Sequence, residues 1–242
     1  MIQSLRAPQW VVHQRSIPIK IMIKILACSV LALAGVAAHA NPINLITNGD
    51  FSAGASGFDS QYTLGADIAH STGANPDLWS PNFYGVGTNP NNFHPSWSSF
   101  TGDGNMLIAN GGADTTAAFW SERLLGLAAG SYTFSFSAAG IYSGNPAVLD
   151  AIAVNLDDAS VIDLGQLAMN STTGQWQTLN TTLNLSGNIR FKLIDLNGVA
   201  DGNDFAIDNI SLVSAVPEPQ SLALMFAGLC AFAVLSRRRK QA

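Results

Sequence analysis

Two stretches of this sequence carry side chains suited to binding chemistry. The run Asp195-Leu-Asn-Gly-Val-Ala-Asp-Gly-Asn-Asp204 puts the oxygens of Asp195, Asn197, Asp201 and Asp204 into one glycine-containing loop. Ca2+ takes about six to eight oxygen ligands at adaptable geometry, and such a loop can supply several of them. The run lacks the closing Glu of an EF-hand loop. Asp and Asn also build turns by bonding their own backbone, so plain turn formation is the competing explanation. The second stretch, Leu78 to Trp97, sets Trp79, Phe83, Tyr84, Phe93 and Trp97 among Asn, Gly and Pro with no regular period. Aromatic faces stack on sugar rings and Asn amides bond hydroxyls, so Trp79, Phe83, Tyr84 and Trp97 are candidate glycan contacts. The same rings could instead pack down over one open end of a sheet structure. A long loop between elements points to function or disorder.

Catalytic constellations are scarce. Between residues 41 and 215 the only histidines are His70 and His94, too few for a two- or three-His zinc site, and no His-Glu-x-x-His occurs. There is no Gly-x-Ser-x-Gly elbow for a nucleophilic serine. His94 sits in Asn-Phe-His-Pro-Ser, the setting of a solvated loop histidine. Asp157 and Asp158 are neighbours that a strand would point to opposite faces, and Glu122 is the only Glu of this region. The chain reads as a non-enzyme, with a surface hydrolase as the weakest alternative.

Both ends of the chain carry addresses. Residues 1–40 form a signal-peptide region: Met22 to Ala40 has Lys24 near its start, an apolar core, and Ala38-His39-Ala40 before Asn41 as a small-x-small cleavage site. The preceding residues fit no part of a signal peptide, which makes Met22 a candidate start. Leu26-Ala27-Cys28 mimics a lipoprotein box, but most of the apolar core follows Cys28 where a lipobox needs it before. At the other end, residues 216–242 open with Val216-Pro217-Glu218-Pro219, continue with an uncharged apolar run from Leu222 to Leu235, and close on Arg237, Arg238, Arg239 and Lys240. The apolar run has 14 residues, short of the ~20 that cross a bilayer comfortably. Snorkelling arginines can still make it a thin transmembrane helix, with the cations held in the cytoplasm.

Removing both ends changes the electrostatics. Of 11 basic residues only Arg123, Arg190 and Lys192 stay, while 15 of the 16 acids stay, so residues 41–215 sit near −12. Such a balance disfavours nucleic acid and anionic lipid surfaces and is compatible with polysaccharide or divalent cations. Both cysteines, Cys28 and Cys230, fall in the ends, so the domain between them has no disulfide and no thiol chemistry. Its length suffices for one core without staples.

The pattern across residues 41–215 is β. Tyr132, Phe134, Phe136 and Ala138 alternate strictly with Thr and Ser, the mark of a half-buried strand. Residues 44–51, 58–64, 106–109, 117–120 and 161–164 are further short candidates. Ile152, Val154 and Leu156 repeat the alternation as one apolar face. Leu179, Leu183 and Leu185 lead through a turn at Ser186-Gly187-Asn188 into Ile189, Phe191 and Leu193. In Phe205 to Val213 the apolar set moves from Phe205 and Ile207 to Ile210 and Leu212, which predicts a bulge near Asp208-Asn209. Eight or more such strands predict an all-β sandwich.

Two resemblances extend this reading. The tripartite tail at 216–240 resembles the PEP-CTERM sorting signal of Gram-negative bacteria. That resemblance implies export, a transient stop in the inner membrane, cleavage by an exosortase-like transpeptidase near Pro217-Glu218-Pro219, and delivery to the cell surface or extracellular matrix. Signal peptidase, cutting before Asn41, is the other implied partner. Separately, Leu45-Ile-Thr-Asn-Gly-Asp-Phe51, Leu127 to Phe136 and Ile207-Asp-Asn-Ile210 resemble, in this order, the galactose-binding-like jelly rolls of many carbohydrate-binding modules. This implies a jelly-roll β-sandwich and a structural Ca2+ tying the first strand region to the last. It implicates Asp208, with Asp50 and the Thr101–Asn105 turn. Ser52 stands where such modules often have Glu. The expectation is an exported protein that associates with extracellular polysaccharide; a structural matrix protein without a specific ligand is the alternative.

Overall fold

The computed structural model describes residues 43–67 and 78–214, within a compact unit running from Asn41 to Ala215. The signal-peptide region with Ala38, Ala40 and Asn41, the residue His70, and the tail with Val216, Pro217, Glu218, Pro219, Arg237, Arg238 and Arg239 lie outside the described residues.

The described chain is β with one short 3-10 turn at Pro90–Asn92. Its strands are β1 (Thr63–Asp67), β2 (Phe83–Gly87), β3 (Met106–Asn110), β4 (Ala118–Gly140), β5 (Val148–Asn155), β6 (Val161–Ala168), β7 (Gln177–Asp195) and β8 (Phe205–Ser214). They hydrogen-bond in the order β1-β2-β3-β8-β4-β7-β5-β6. Only β1 and β2 run parallel. All other pairs are antiparallel.

Continuous pairing of this kind still makes two layers, because β4 and β7 are long and belong to both. Residues 132–140 of β4 pair with β8 and, through 130–138, with the first half of β7. Residues 118–124 of β4 pair with the second half of β7, whose far edge carries β5 and then β6. Between the halves the ladder slips at Leu124–Leu127 and again at Leu127–Gly130. Gly126 (φ 67°) and Gly187 (φ 81°) supply the left-handed backbone that this corner needs. The layers then face each other. Phe134 on the first stacks on Phe191 of the second with centroids 5.2 Å apart and planes 6° from parallel. Phe119 meets Phe205 at 4.6 Å. This is a jelly-roll β-sandwich.

Several expectations change against this frame. The segments at 117–120 and 132–138 are one strand, and the turn expected at Ser186–Asn188 is a bend inside β7. Both follow from the corner glycines, which turn the strand without ending it. The stretch expected to be a loop from Leu78 to Trp97 contains β2, which pairs with β3 along its whole length. In β5 the core side is Leu149, Ala151 and Ala153, not Ile152 and Val154. The register decides it: Ala151 and Ala153 pair with Leu193 and Phe191 of β7, both fully buried. Residues 44–51 form turns, with Leu45 N–H bonding Leu212 O at 2.8 Å and Ile210 N–H bonding Gly49 O at 2.9 Å. The bulge near Asp208-Asn209 is present: Asn209 has φ 55°, and the β4–β8 register slips opposite it.

Candidate functional site

A cleft of about 400 Å3 opens at one end of the sandwich. One wall comes from the segment joining β2 to β3, the other from Tyr142 after β4 and the loop 200–204 before β8. The first wall is fixed by amides. Asn89 caps the 3-10 turn, its Oδ1 accepting Asn91 N–H at 3.1 Å, while its Nδ2 donates to Ser99 Oγ at 2.8 Å. Asn91 Nδ2 donates to the carbonyls of Pro95 and Trp97 at 3.2 and 3.0 Å. Phe93 is fully buried beneath and anchors the segment.

On this support three rings stand in a row. Trp79, 56% exposed, lies 4.0 Å from His94, and His94 lies 5.1 Å from Trp97. Trp97 is only 4% exposed, and its Nε1 donates to Asp204 Oδ2 at 2.9 Å. The other Asp204 oxygen accepts Gly111 N–H at 3.2 Å. Burial pushes the Asp204 carboxyl up to about 6 and holds the His94 imidazole below its ordinary range. The exposed Tyr142 ring packs over Gly202, whose φ is 95° and where an added Cβ would lie 3.0 Å from Asn145 N and 3.1 Å from Tyr142 Cδ1, so a side chain there would be strained. Asn110, Ser96 and Asp201 add polar groups to the lining, and among the described residues no Lys or Arg contributes.

The candidate glycan contacts therefore divide. Trp79 and Trp97 line the cleft. Phe83 is half-buried against a small core cluster with Leu78, Phe93 and Met106. Tyr84 is 7% exposed in the main core. As neighbours on β2 the two rings point to opposite faces, one into each cluster, and neither lines the cleft. His94 and Tyr142, which join the site, carried no pattern signal: one read as a solvated loop histidine, the other sits alone after a strand.

The oxygen-rich loop is used differently from the metal reading. Asp195 Oδ1 accepts the N–H groups of Val148 and Asn197, and Oδ2 accepts Asn203 Nδ2 at 2.7 Å. Asn197 Oδ1 accepts Val199 N–H, while its Nδ2 donates to the carbonyls of Asn145 and Pro146. Asp201 is exposed, and Asp204 holds Trp97. Asp195 and Asn197 thus tie backbone together, while Asp201 and Asp204 both line the cleft. Among the described residues no three His, Cys, Asp or Glu side chains gather to hold a metal ion. Asp208 stands apart. It is 3% exposed, accepts Asn209 N–H at 2.7 Å, and its carboxyl is pushed up to about 6 by burial, with Asp50 and Asp103 adding to the rise.

Comparison with known proteins places the tail. The family model of the PEP-CTERM protein-sorting motif matches residues 215–240. The tail carries a PEP-CTERM sorting motif. It marks an exported protein. No curated protein matches the chain. Among solved structures, the CBM22-1 xylan-binding domain of Paenibacillus barcinonensis Xyn10C is similar over 50% of this chain and 78% of its own, at 11% identity and a TM-score of 0.40. TmCBM61 in complex with β-1,4-galactotriose is similar over 71% of this chain and 99% of its own, at 17% identity and a TM-score of 0.42. A family 16 carbohydrate-binding module is similar over 71% and 100%, at 18% and 0.39.

Proposed function

We propose that this chain is a non-catalytic, exosortase-sorted protein whose β-sandwich binds extracellular polysaccharide through the cleft at Trp79. The observation that carries this reading is the half-exposed Trp79 ring, a small aromatic platform backed by His94 and the buried Trp97 and edged by the polar groups of Asn110, Ser96, Asp201 and Tyr142. Sugar rings present apolar C–H faces and a rim of hydroxyls, which such a platform complements. The absence of Lys and Arg from its lining among the described residues favours neutral glycans over uronates.

Signal peptidase cuts before Asn41, the tail pauses in the inner membrane, and the exosortase-like enzyme acts at Pro217-Glu218-Pro219. Release delivers the domain to the cell surface or matrix of a Gram-negative bacterium. A structural Ca2+ remains part of this proposal, with Asp208 as its first candidate ligand ahead of Asp195, Asn197, Asp201 and Asp204. Asp208 is a buried carboxyl whose ionisation Asp50 and Asp103 further oppose, and a cation there would relieve that repulsion. Since no three described carboxylates gather at either place, carbonyls and water would complete its shell.

The deciding experiment is retention of the protein on insoluble neutral polysaccharides, wild type against Trp79→Ala. Retention that falls about tenfold in the variant at unchanged thermal midpoint supports the cleft. A wild type that passes through every column leaves a structural matrix protein as the better description. For the tail, Glu218→Ala is expected to leave unprocessed chain in the membrane fraction of the native host; normal processing would reject Glu218 as the recognised residue.

A further inference from the structure

The domain's three cations, Arg123, Arg190 and Lys192, are brought by the fold to one face of one layer. Arg123 on β4 and Arg190 on β7 are direct cross-strand partners, and Lys192 follows two residues along β7. Ile189 and Phe191, on either side of Arg190, are buried in the core, so Arg190 and Lys192 point to the outer face. Like charges set directly opposite on antiparallel strands repel each other. A domain with 15 acids has ample means to neutralise them. Yet among the described residues none of the three forms an ion pair, and Arg190 Nε is buried without any hydrogen-bond partner. Next to them on the same face stand the half-buried Val154 and Ile152 of β5, registered with Arg190 and Lys192. Asp59, beside Ser121, and Asp163, beside Ile152, mark the two edges. None of the three cations lines the Trp79 cleft.

We propose that this face is a second binding site and that it takes the carboxylates of an acidic polysaccharide. Guanidinium forks match carboxylates in a bidentate fashion, so the Arg123–Arg190 pair suits one carboxylate. Lys192, about 7 Å further along the strand, meets the next group of the polymer. Ile152 and Val154 offer a flat aliphatic strip to the sugar rings between those groups. The domain's charge near −12 opposes every polyanion, and it opposes duplex nucleic acid most, since one charge per about 1.7 Å is denser than one carboxylate per sugar ring.

The test is affinity electrophoresis in native gels containing alginate, a linear polyuronate, with hydroxyethylcellulose as the neutral control. The full chain is used in uncharged detergent, with Arg237, Arg238, Arg239 and Lys240 all changed to Gln so that the tail contributes no cations. Alginate is expected to retard this parent chain, and more weakly as salt rises from about 50 to 200 mM. Arg123→Gln with Lys192→Gln should weaken retardation at least about tenfold, while Trp79→Ala leaves it unchanged. Ile152→Glu keeps all three cations, adds an anion to an outward position, and should weaken retardation as well; it decides the matter should the double variant not fold. No retardation of the parent by alginate, or equal retardation of the parent and Ile152→Glu, overturns the proposal. So does a parent that dimerises alone in light scattering and becomes monomeric on Arg123→Gln, since the occupant is then a second copy.

Discussion

Trp97 and Asp204, 107 positions apart in the chain, are joined beneath the cleft by a 2.9 Å hydrogen bond from the indole N–H to the carboxyl. The bond couples the two walls of the site, because Trp97 belongs to the segment before β3 and Asp204 opens β8. Asp204→Ala leaves the Trp97 and Gly111 N–H groups without partners in a buried setting. The expected cost is about 1–3 kcal/mol in chemical denaturation, together with weaker glycan retention. Unchanged stability would mean that the walls are positioned by other contacts.

Three buried carboxyls, Asp195, Asp204 and Asp208, are each pushed up to about 6 by desolvation. A carboxyl whose folded pKa exceeds its unfolded one, near 3.9, binds its proton more tightly in the folded state. The resulting destabilisation is fully present above pH 6 and is relieved as pH falls toward 3.9. His94, held low by desolvation, opposes this with a single proton. The thermal midpoint should therefore rise by ~5 °C between pH 7.5 and pH 5, and Asp204→Asn should flatten part of that rise. A midpoint that falls over the same interval contradicts this assignment.

At the corner of β7, Gly187 has φ 81°, and a Cβ there would lie 2.6 Å from Asp157 Oδ2. Gly187→Ala should cost about 1–3 kcal/mol. Gly126→Ala, also at positive φ but facing open space, should cost only the ~1 kcal/mol of the backbone. Equal losses at the two positions, measured in urea, would show that Asp157 yields easily.

Ca2+ in excess over chelator should raise the thermal midpoint, because a ligand selective for the folded state stabilises it. Asp208→Asn should abolish the response, while Asp201→Asn leaves it. Identical melting with Ca2+ and with chelator would dismiss a calcium role for the domain.

The alternation in Tyr132–Ala138 was legible because its inner residues are large and its outer ones are Ser and Thr. The sorting tail was legible because its three parts are local in sequence. The face of β5 was not: its inner residues are Ala151 and Ala153, which pattern reading ranks below Ile152 and Val154. What reverses the ranking is the register with Leu193 and Phe191, contributed from another strand. Ala153, fully buried, should tolerate Leu poorly, at about 1–3 kcal/mol, whereas Ile152→Ser on the outer face should cost less than about 1 kcal/mol. The reverse order, read by denaturation, would restore the face expected from sequence. In the cleft, Trp79 and Trp97 were visible as aromatics among Asn and Pro. Tyr84 and Phe83 looked equivalent until pairing of β2 with β3 fixed which way each pointed. The Asp195–Asp204 oxygens were visible too, but their partners are backbone N–H groups, the Asn203 amide and the distant Trp97 indole, which no local pattern announces.

β8, the last strand among the described residues, is also an interior strand, lying between β3 and β4 and receiving the segment 44–49 along its far half. It ends at Ser214, and the sorting motif begins at residue 215. In the export proposed above, the chain would leave a translocon from N-terminus to C-terminus, and the earlier described strands would emerge before their central partner. The pairing of β8 would then be completed only as the sorting motif reaches the membrane, and a tail halted there would tether the domain during that last step.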